Sequence, residues 1–450
     1  MHRPRRRSLV VLPTLLLALT SGSGAAAERG PAVTVYSRGQ GFVRESRFLD
    51  LRGGRDTLRI TDVPAALDFS SVRLVPPGGA RVMRMAWRND VDSGDHMIDA
   101  ARGARVRVMS KGDRATEGTL IAADGSWLVV RADDGSVSTL SRAAVEEVRL
   151  LKPPALLSLR PTLEVVLDGG RRLTGDAELS YLTGGLSWSA EHVLVREGET
   201  AGTWTGHVRI ENASGRDYAN ATLKLVAGDL MTQSPPPMPM MRATMAMEKA
   251  PAADLSEQSF SEYHLYTLDR PATLRDREEQ SLTLIEPKPV KLQPRYLYRG
   301  DGRTVLAQLE LKNDAGAGPG VPLPAGRVRI YEADAAGALQ LTGEARIPHT
   351  ATGEKMTLDM GMAFDLTADK RVTDQKRISD REREYSVEIK LRNQKRTAVT
   401  IVCEESVGGD FDVTQHSQPF TKKDASTIQF AVPVPAGKEA VLTYTVRARY

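Results

Sequence analysis

The chain has 450 residues, of which 26% are charged, 41% hydrophobic and 5% aromatic, with one cysteine and a net charge of +4. Arg3, Arg5, Arg6 and Arg7 account for that excess, so the rest of the chain is neutral, which argues against a phosphate-binding protein held by bulk positive charge. The same figures exclude a disordered chain, a disulfide-stapled scaffold and a polytopic membrane protein, and at roughly 150 residues per domain they leave room for about three folding units.

Residues 1–8 are basic, 9–20 are an apolar run, and 21–27 are small and polar. Ala25 and Ala27 stand at the −3 and −1 positions of a cut between Ala27 and Glu28, which completes the layout of a secretory signal peptide over 1–27. The apolar run is shorter than the ~20 residues a bilayer demands, and no cysteine follows it to take a lipid. Arg6-Arg7 keeps a twin-arginine route open beside the general one. The expectation is a periplasmic or secreted protein. A single cysteine fits an oxidising compartment without forming an internal disulfide. Val399, Ile401 and Cys403 alternate onto one face, which favours an inert buried thiol over a reactive nucleophile.

From residue 28 onward the dominant signal is period-two alternation in short runs, broken by Gly, Asp-Gly, Asn and Pro. An N-terminal β domain is expected over 28–100. Residues 105–109, 118–121, 127–131, 137–140 and 145–150 read as five strands, with Asp134-Gly135 suited to a tight hairpin. Five strands in so short a span predict a small SH3-like or Sm-like barrel over 101–152; the alternative is an extension of the neighbouring sheet. A first part of a β-sandwich follows over 153–230. Residues 231–262 form a Met/Pro-rich linker without periodicity, including Ser234-Pro235-Pro236-Pro237-Met238-Pro239. Strands resume over 263–450, the second part of the sandwich with an Ig-like C-terminal region. The predicted fold class is therefore all-β: multidomain β-sandwiches with a small barrel inserted near the N-terminus.

The chain carries no HExxH, no G-x-S-x-G, no Walker loop and no G-x-G-x-x-G opening a helix. Three weaker constellations remain. Asp90 and Asp92 alternate and Asp95 follows in an acidic stretch running to Asp99, where carboxylates could wrap Ca²⁺, although an EF-hand would need Gly and Glu where Asp95 and Ala101 stand. The competing identity is a solvated turn. Met238, Met240, Met245 and Met247 form thioether pairs soft enough for Cu(I), against a bland linker or an adaptable apolar contact surface. Ser187, His192 or His349 beside an acid in a cleft would make a hydrolase site, and a filled apolar core around His192 would overturn the version built on it. Alternation places His192 with Trp188, Ala190 and Leu194 on an apolar face and His207 on a polar one, which argues against a shared metal. The run from Lys370 to Lys395 mixes both signs and reads as a solvated hairpin, not a nucleic-acid stripe.

Several stretches together resemble an exported bacterial family, domain-of-unknown-function family 4139, related to mucoidy-inhibitor-like proteins. They are Ser180-Tyr181-Leu182-Thr183-Gly184-Gly185-Leu186-Ser187-Trp188, Glu211-Asn212-Ala213-Ser214-Gly215-Arg216-Asp217-Tyr218, Val321-Pro322-Leu323-Pro324-Ala325-Gly326, His349-Thr350 and the closing Tyr444-Thr445-Val446-Arg447. The resemblance implies an envelope location and β-sandwich architecture, and supplies no catalytic residues. The expectation is thus a non-catalytic exported protein that binds an envelope protein or supports the envelope. No cofactor, nucleic acid or transmembrane span is expected in the mature chain, and the oligomeric state is open. Metal handling and a hydrolase with a site assembled only in three dimensions are the alternatives.

Overall fold

The computed structural model describes residues 30–90, 93–152, 157–227, 257–260, 263–408 and 410–449. Within them the alternating runs pair into five sheets, as side chains with a period of two bury one face of each strand. The first has eight strands and brings the N-terminus to the middle of the chain. Ala32–Tyr36 lies parallel to Tyr218–Ala227, and Gln40–Leu51 pairs along its whole length with Leu173–Gly184. A three-stranded sheet of Arg55–Ile60, Thr162–Asp168 and Arg81–Arg88 packs beside it. A five-stranded sheet centred on Leu186–Arg196 has Ala201–Asn212 antiparallel on one side and Gly326–Ala333 parallel on the other.

These three sheets enclose one core, to which Val33, Val43, Leu179, Tyr181, Trp204 and Val328 all belong. Strands of residues 30–90 thus share this core with strands that come much later in the chain, from Thr162–Asp168 to Tyr218–Ala227.

The remaining nine-stranded sheet folds over on itself around a second core. Phe430 and Tyr444 stack at its centre with ring centroids 5.1 Å apart, among Tyr298, Val387, Ile401 and Cys403. This is the β-sandwich expected of the C-terminal half. Its longest member, Lys355–Ser379, pairs first with Thr304–Lys312 and then with Glu382–Asn393. Met356 and Leu358 face the first core, while Leu366 and Ala368 face the second. Between them Phe364 stands 96% exposed.

The expected small barrel is corrected to an open sheet. Its strands run in the order Val145–Leu150, Arg105–Ser110, Arg114–Ala123, Trp127–Arg131, Val137–Ser141, and the two outer strands do not pair with each other. They are joined by the three-residue 3₁₀ turn Arg142–Ala144, whose ends are tied to different neighbours. The Arg142 N–H bonds Ser126 O at 2.9 Å, and Ala144 O accepts the Lys111 N–H at 2.8 Å. Apolar cover that closure would provide comes instead from the short helix Gly94–Ala100 and the turn after it. Ile98, Ala101 and Ala104 pack onto Val106, Val108, Leu120, Leu128 and Val130. The helix starts at Ser93, whose side chain accepts the His96 N–H at 3.1 Å, with Asp95 in the first turn.

Candidate functional site

Where the first sheet meets the three-stranded sheet, a polar cleft of about 810 Å³ opens between Glu45, Arg47, Asp62, Arg160, Arg216 and Asp276. Its floor is a charged network. Arg216 sends two N–H groups to the two oxygens of Glu45, at 2.9 and 2.7 Å, and a third contact to the Tyr181 hydroxyl. Arg47 reaches Glu45 at 3.0 Å and Asp62 at 2.6 Å. Two parallel guanidinium–carboxylate bonds are the strongest form such a pair takes, and here both partners are nearly buried, with side-chain exposures of 12% and 7%. Burial, and then the charge of Glu45, push the Tyr181 hydroxyl well above its ordinary value, so it stays protonated.

Backbone geometry places Arg216 there. Asn212 Nδ2 donates to Arg216 O at 2.8 Å and to Leu274 O at 3.1 Å, while its Oδ1 accepts from the Ser214 hydroxyl at 2.8 Å. Gly215 turns with φ of +85°, and a Cβ on it would sit 2.6 Å from the Ala65 methyl, so only glycine fits. The Gly215 N–H bonds Asp276 at 2.8 Å. The stretch 211–218 and Tyr181 thus converge on one cleft wall. The residue that sequence reasoning missed is Glu45. It shares inward parity with Gly41 and Val43, and an acid on an inward-facing position was the available signal.

The other sequence candidates are dispersed. His192 is 1% exposed, packed against Trp204 with ring centroids 5.2 Å apart, and burial lowers its pKa to about 4. Ser187 lies on the opposite face of the same strand, 3.5 Å from Glu211 Oε2. His349 stacks on His264, with centroids 5.9 Å apart. The filled core around His192 overturns a hydrolase site built on it.

Asp90 accepts the Ser158 N–H at 2.8 Å and Asp95 pairs with Arg142, while Asp92 lies outside the described residues. Among the described residues no group of three His, Cys, Asp or Glu side chains is arranged to hold a metal ion. Met238, Met240, Met245 and Met247 lie outside the described residues, as do Ala27 and Glu28. Cys403 is fully buried, and burial with the nearby Glu405 pushes its thiol up to about 12, which removes thiolate chemistry.

The inserted sheet presents a second surface. Trp127 (49% exposed), Val137 (57%) and Ile121 stand on or beside its solvent face. Arg105, held by Asp133 at 2.7 Å and Glu117 at 3.2 Å, occupies the other half. Val137–Ser141 is the free edge beside the apolar half. Leu128 and Val130 point the other way, into the unit's own core.

A multi-sheet β protein with a bidentate ion pair clamping its N-terminal strands to its middle is the class these features define. The chain belongs to the family described as a domain of unknown function, DUF4139, which matches residues 177–450 and agrees with the likeness to mucoidy-inhibitor-like proteins. That match begins inside Leu173–Gly184, whose partners Gln40–Leu51 and Leu67–Val75 precede it. No curated protein matches the chain at a significant level. No helix among the described residues is long and apolar enough to cross a membrane.

Proposed function

We propose that this chain is an exported, non-catalytic β scaffold of the bacterial cell envelope that binds a protein partner through its inserted sheet. The observation that carries the reading is the pair of exposed apolar side chains Trp127 and Val137, one at each end of the two strands that finish the sheet in an unpaired edge. An exposed apolar face next to free backbone donors and acceptors is suited to adding an extended segment of another protein. The Glu45–Arg216 clamp supports the scaffold role, since it commits its charges to holding two distant chain segments together. The signal-peptide layout of 1–27 supports export, and N-terminal sequencing of the processed protein should read from Glu28.

Affinity capture from envelope extract tests the contact, using the full chain beside a Trp127→Ser/Val137→Ser variant. Both side chains face solvent, so the variant should fold with an unchanged circular dichroism spectrum. A specific partner recovered by the parent and lost by the variant is the expected result. Equal recovery moves the contact off this sheet, and no partner from either removes the binding role.

A further inference from the structure

The turn 321–326 lies within the first core and delivers Gly326–Ala333 into its parallel pairing with Leu186–Arg196. Two imidazoles grip the two ends of a single peptide group, Pro324–Ala325, with opposite polarity. His192 Nε2 lies 3.1 Å from Pro324 O, so that nitrogen carries a proton and donates. The Ala325 N–H lies 3.1 Å from His349 Nδ1, so that nitrogen is bare and accepts. Leu323 and Thr350 exchange two backbone bonds, at 2.9 and 3.0 Å, and Asn313 Nδ2 donates to Val321 O at 2.8 Å.

We propose that this turn is an acid-released clasp, closed while His192 and His349 are both neutral and opened when they take up protons. The geometry supplies a separate reason at each ring. A proton on His349 Nδ1 would point at the Ala325 N–H, turning an attraction into a donor–donor clash. A proton on His192 Nδ1 would create a cation whose second donor is buried without a partner. The same tautomer argument rules His349 Nε2 out as a metal ligand while the Ala325 bond is made, because that nitrogen then holds the ring's proton.

The charged groups around the rings do not cancel this. Glu191, next to His192 in sequence but on the other strand face, is engaged by Arg327 at 2.8 Å and Arg329 at 3.3 Å. His207, opposite Glu191 on the adjacent strand, further disfavours a proton on His192. His264, stacked on His349, does the same there. The residues of the turn, Val321 to Gly326, carry no charge of their own.

Opening would free the hairpin of Gly326–Ala333 and Leu339–Ile347 from the sheet while leaving the second core intact. Hydrogen–deuterium exchange by mass spectrometry on the full chain, corrected for the intrinsic pH dependence, reads this directly. Between pH 7 and 4.5 the peptides covering 321–347 should exchange at least tenfold faster, while those covering 427–446 keep their protection. Histidine C2–H exchange in the same samples gives each ring's titration.

A His192→Gln/His349→Asn variant keeps the donor to Pro324 and the acceptor for Ala325 but cannot be protonated. It should hold 321–347 protected at pH 4.5. Should the buried change disturb folding, His349→Asn alone should halve the response or better. Simultaneous loss of protection in both regions, no acceleration down to pH 4.5, or an unchanged response in the variants would each overturn the clasp.

Discussion

Among the described residues, Glu45 and Glu405 are the carboxylates buried in the two halves of this molecule, and their surroundings differ. Glu45 has both oxygens filled by a guanidinium from 171 positions later, and a second guanidinium, Arg47, stands in reserve. Glu405 has one oxygen, Oε2, that takes the Lys370 ammonium and the Tyr444 hydroxyl at 2.8 Å, while Oε1 has no partner among the described residues and faces the turn at Gly300. The saturated acid ties together segments from opposite ends of the first core. The half-satisfied one sits inside a sandwich drawn wholly from residues 293–449, and its own partners lie only 35 and 39 positions away. Redundant pairing is found where the chain must be held against the greatest loss of freedom.

Removing one cation from each acid should break this comparison open. Lys370→Met leaves Glu405, 1% exposed, with a hydroxyl alone, and should destabilise the protein by about 4 kcal/mol in urea unfolding. Arg216→Met leaves Glu45 with Arg47, and should cost less, about 3 kcal/mol. The reverse order would show that the second guanidinium carries no weight.

Acid should separate the two cores as well. The folded pKa of His192, about 4, lies below the ordinary 6.5, so the unfolded chain binds the extra proton between those values. The stabilisation is present above pH 6.5 and falls away as pH drops toward 4, by about 3 kcal/mol for the first core. The second core's melting transition should move less over the same range, and His192→Gln should flatten the difference. Tyr444→Phe removes one hydrogen bond to a buried charge and should destabilise the sandwich by about 2 kcal/mol. Phe364→Ser, at a position open to solvent, should leave urea stability unchanged within about 0.5 kcal/mol.

Local pattern made much of this legible in the sequence. Trp127–Arg131 and Val145–Leu150 can be read off alternation to the residue, and His192 shares parity with Trp188 and Leu194 just as its burial requires. The parallel pairings are invisible to such reading, because Ala32–Tyr36 and Tyr218–Ala227 meet without a turn between them. The open edge of the inserted sheet is another case, since closure depends on two strands that are not hairpin neighbours. The helix Gly94–Ala100 hides inside an acidic stretch, too short for apolar periodicity to emerge, and only Ser93 as a cap hints at it. The clamp shows the same limit: Arg216 stands in a marked stretch, but nothing local says that its carboxylate is Glu45.

One pairing has a consequence for the chain's history. Arg88 and Thr162, where the inserted unit leaves and rejoins its host, face each other across neighbouring strands. Entry and exit therefore lie roughly 5 Å apart, and everything between them hangs from the host as a pendant on a narrow stem. Such a stem accepts any module whose two ends meet, whatever its length or shape. The host and its cargo are free to evolve on separate schedules.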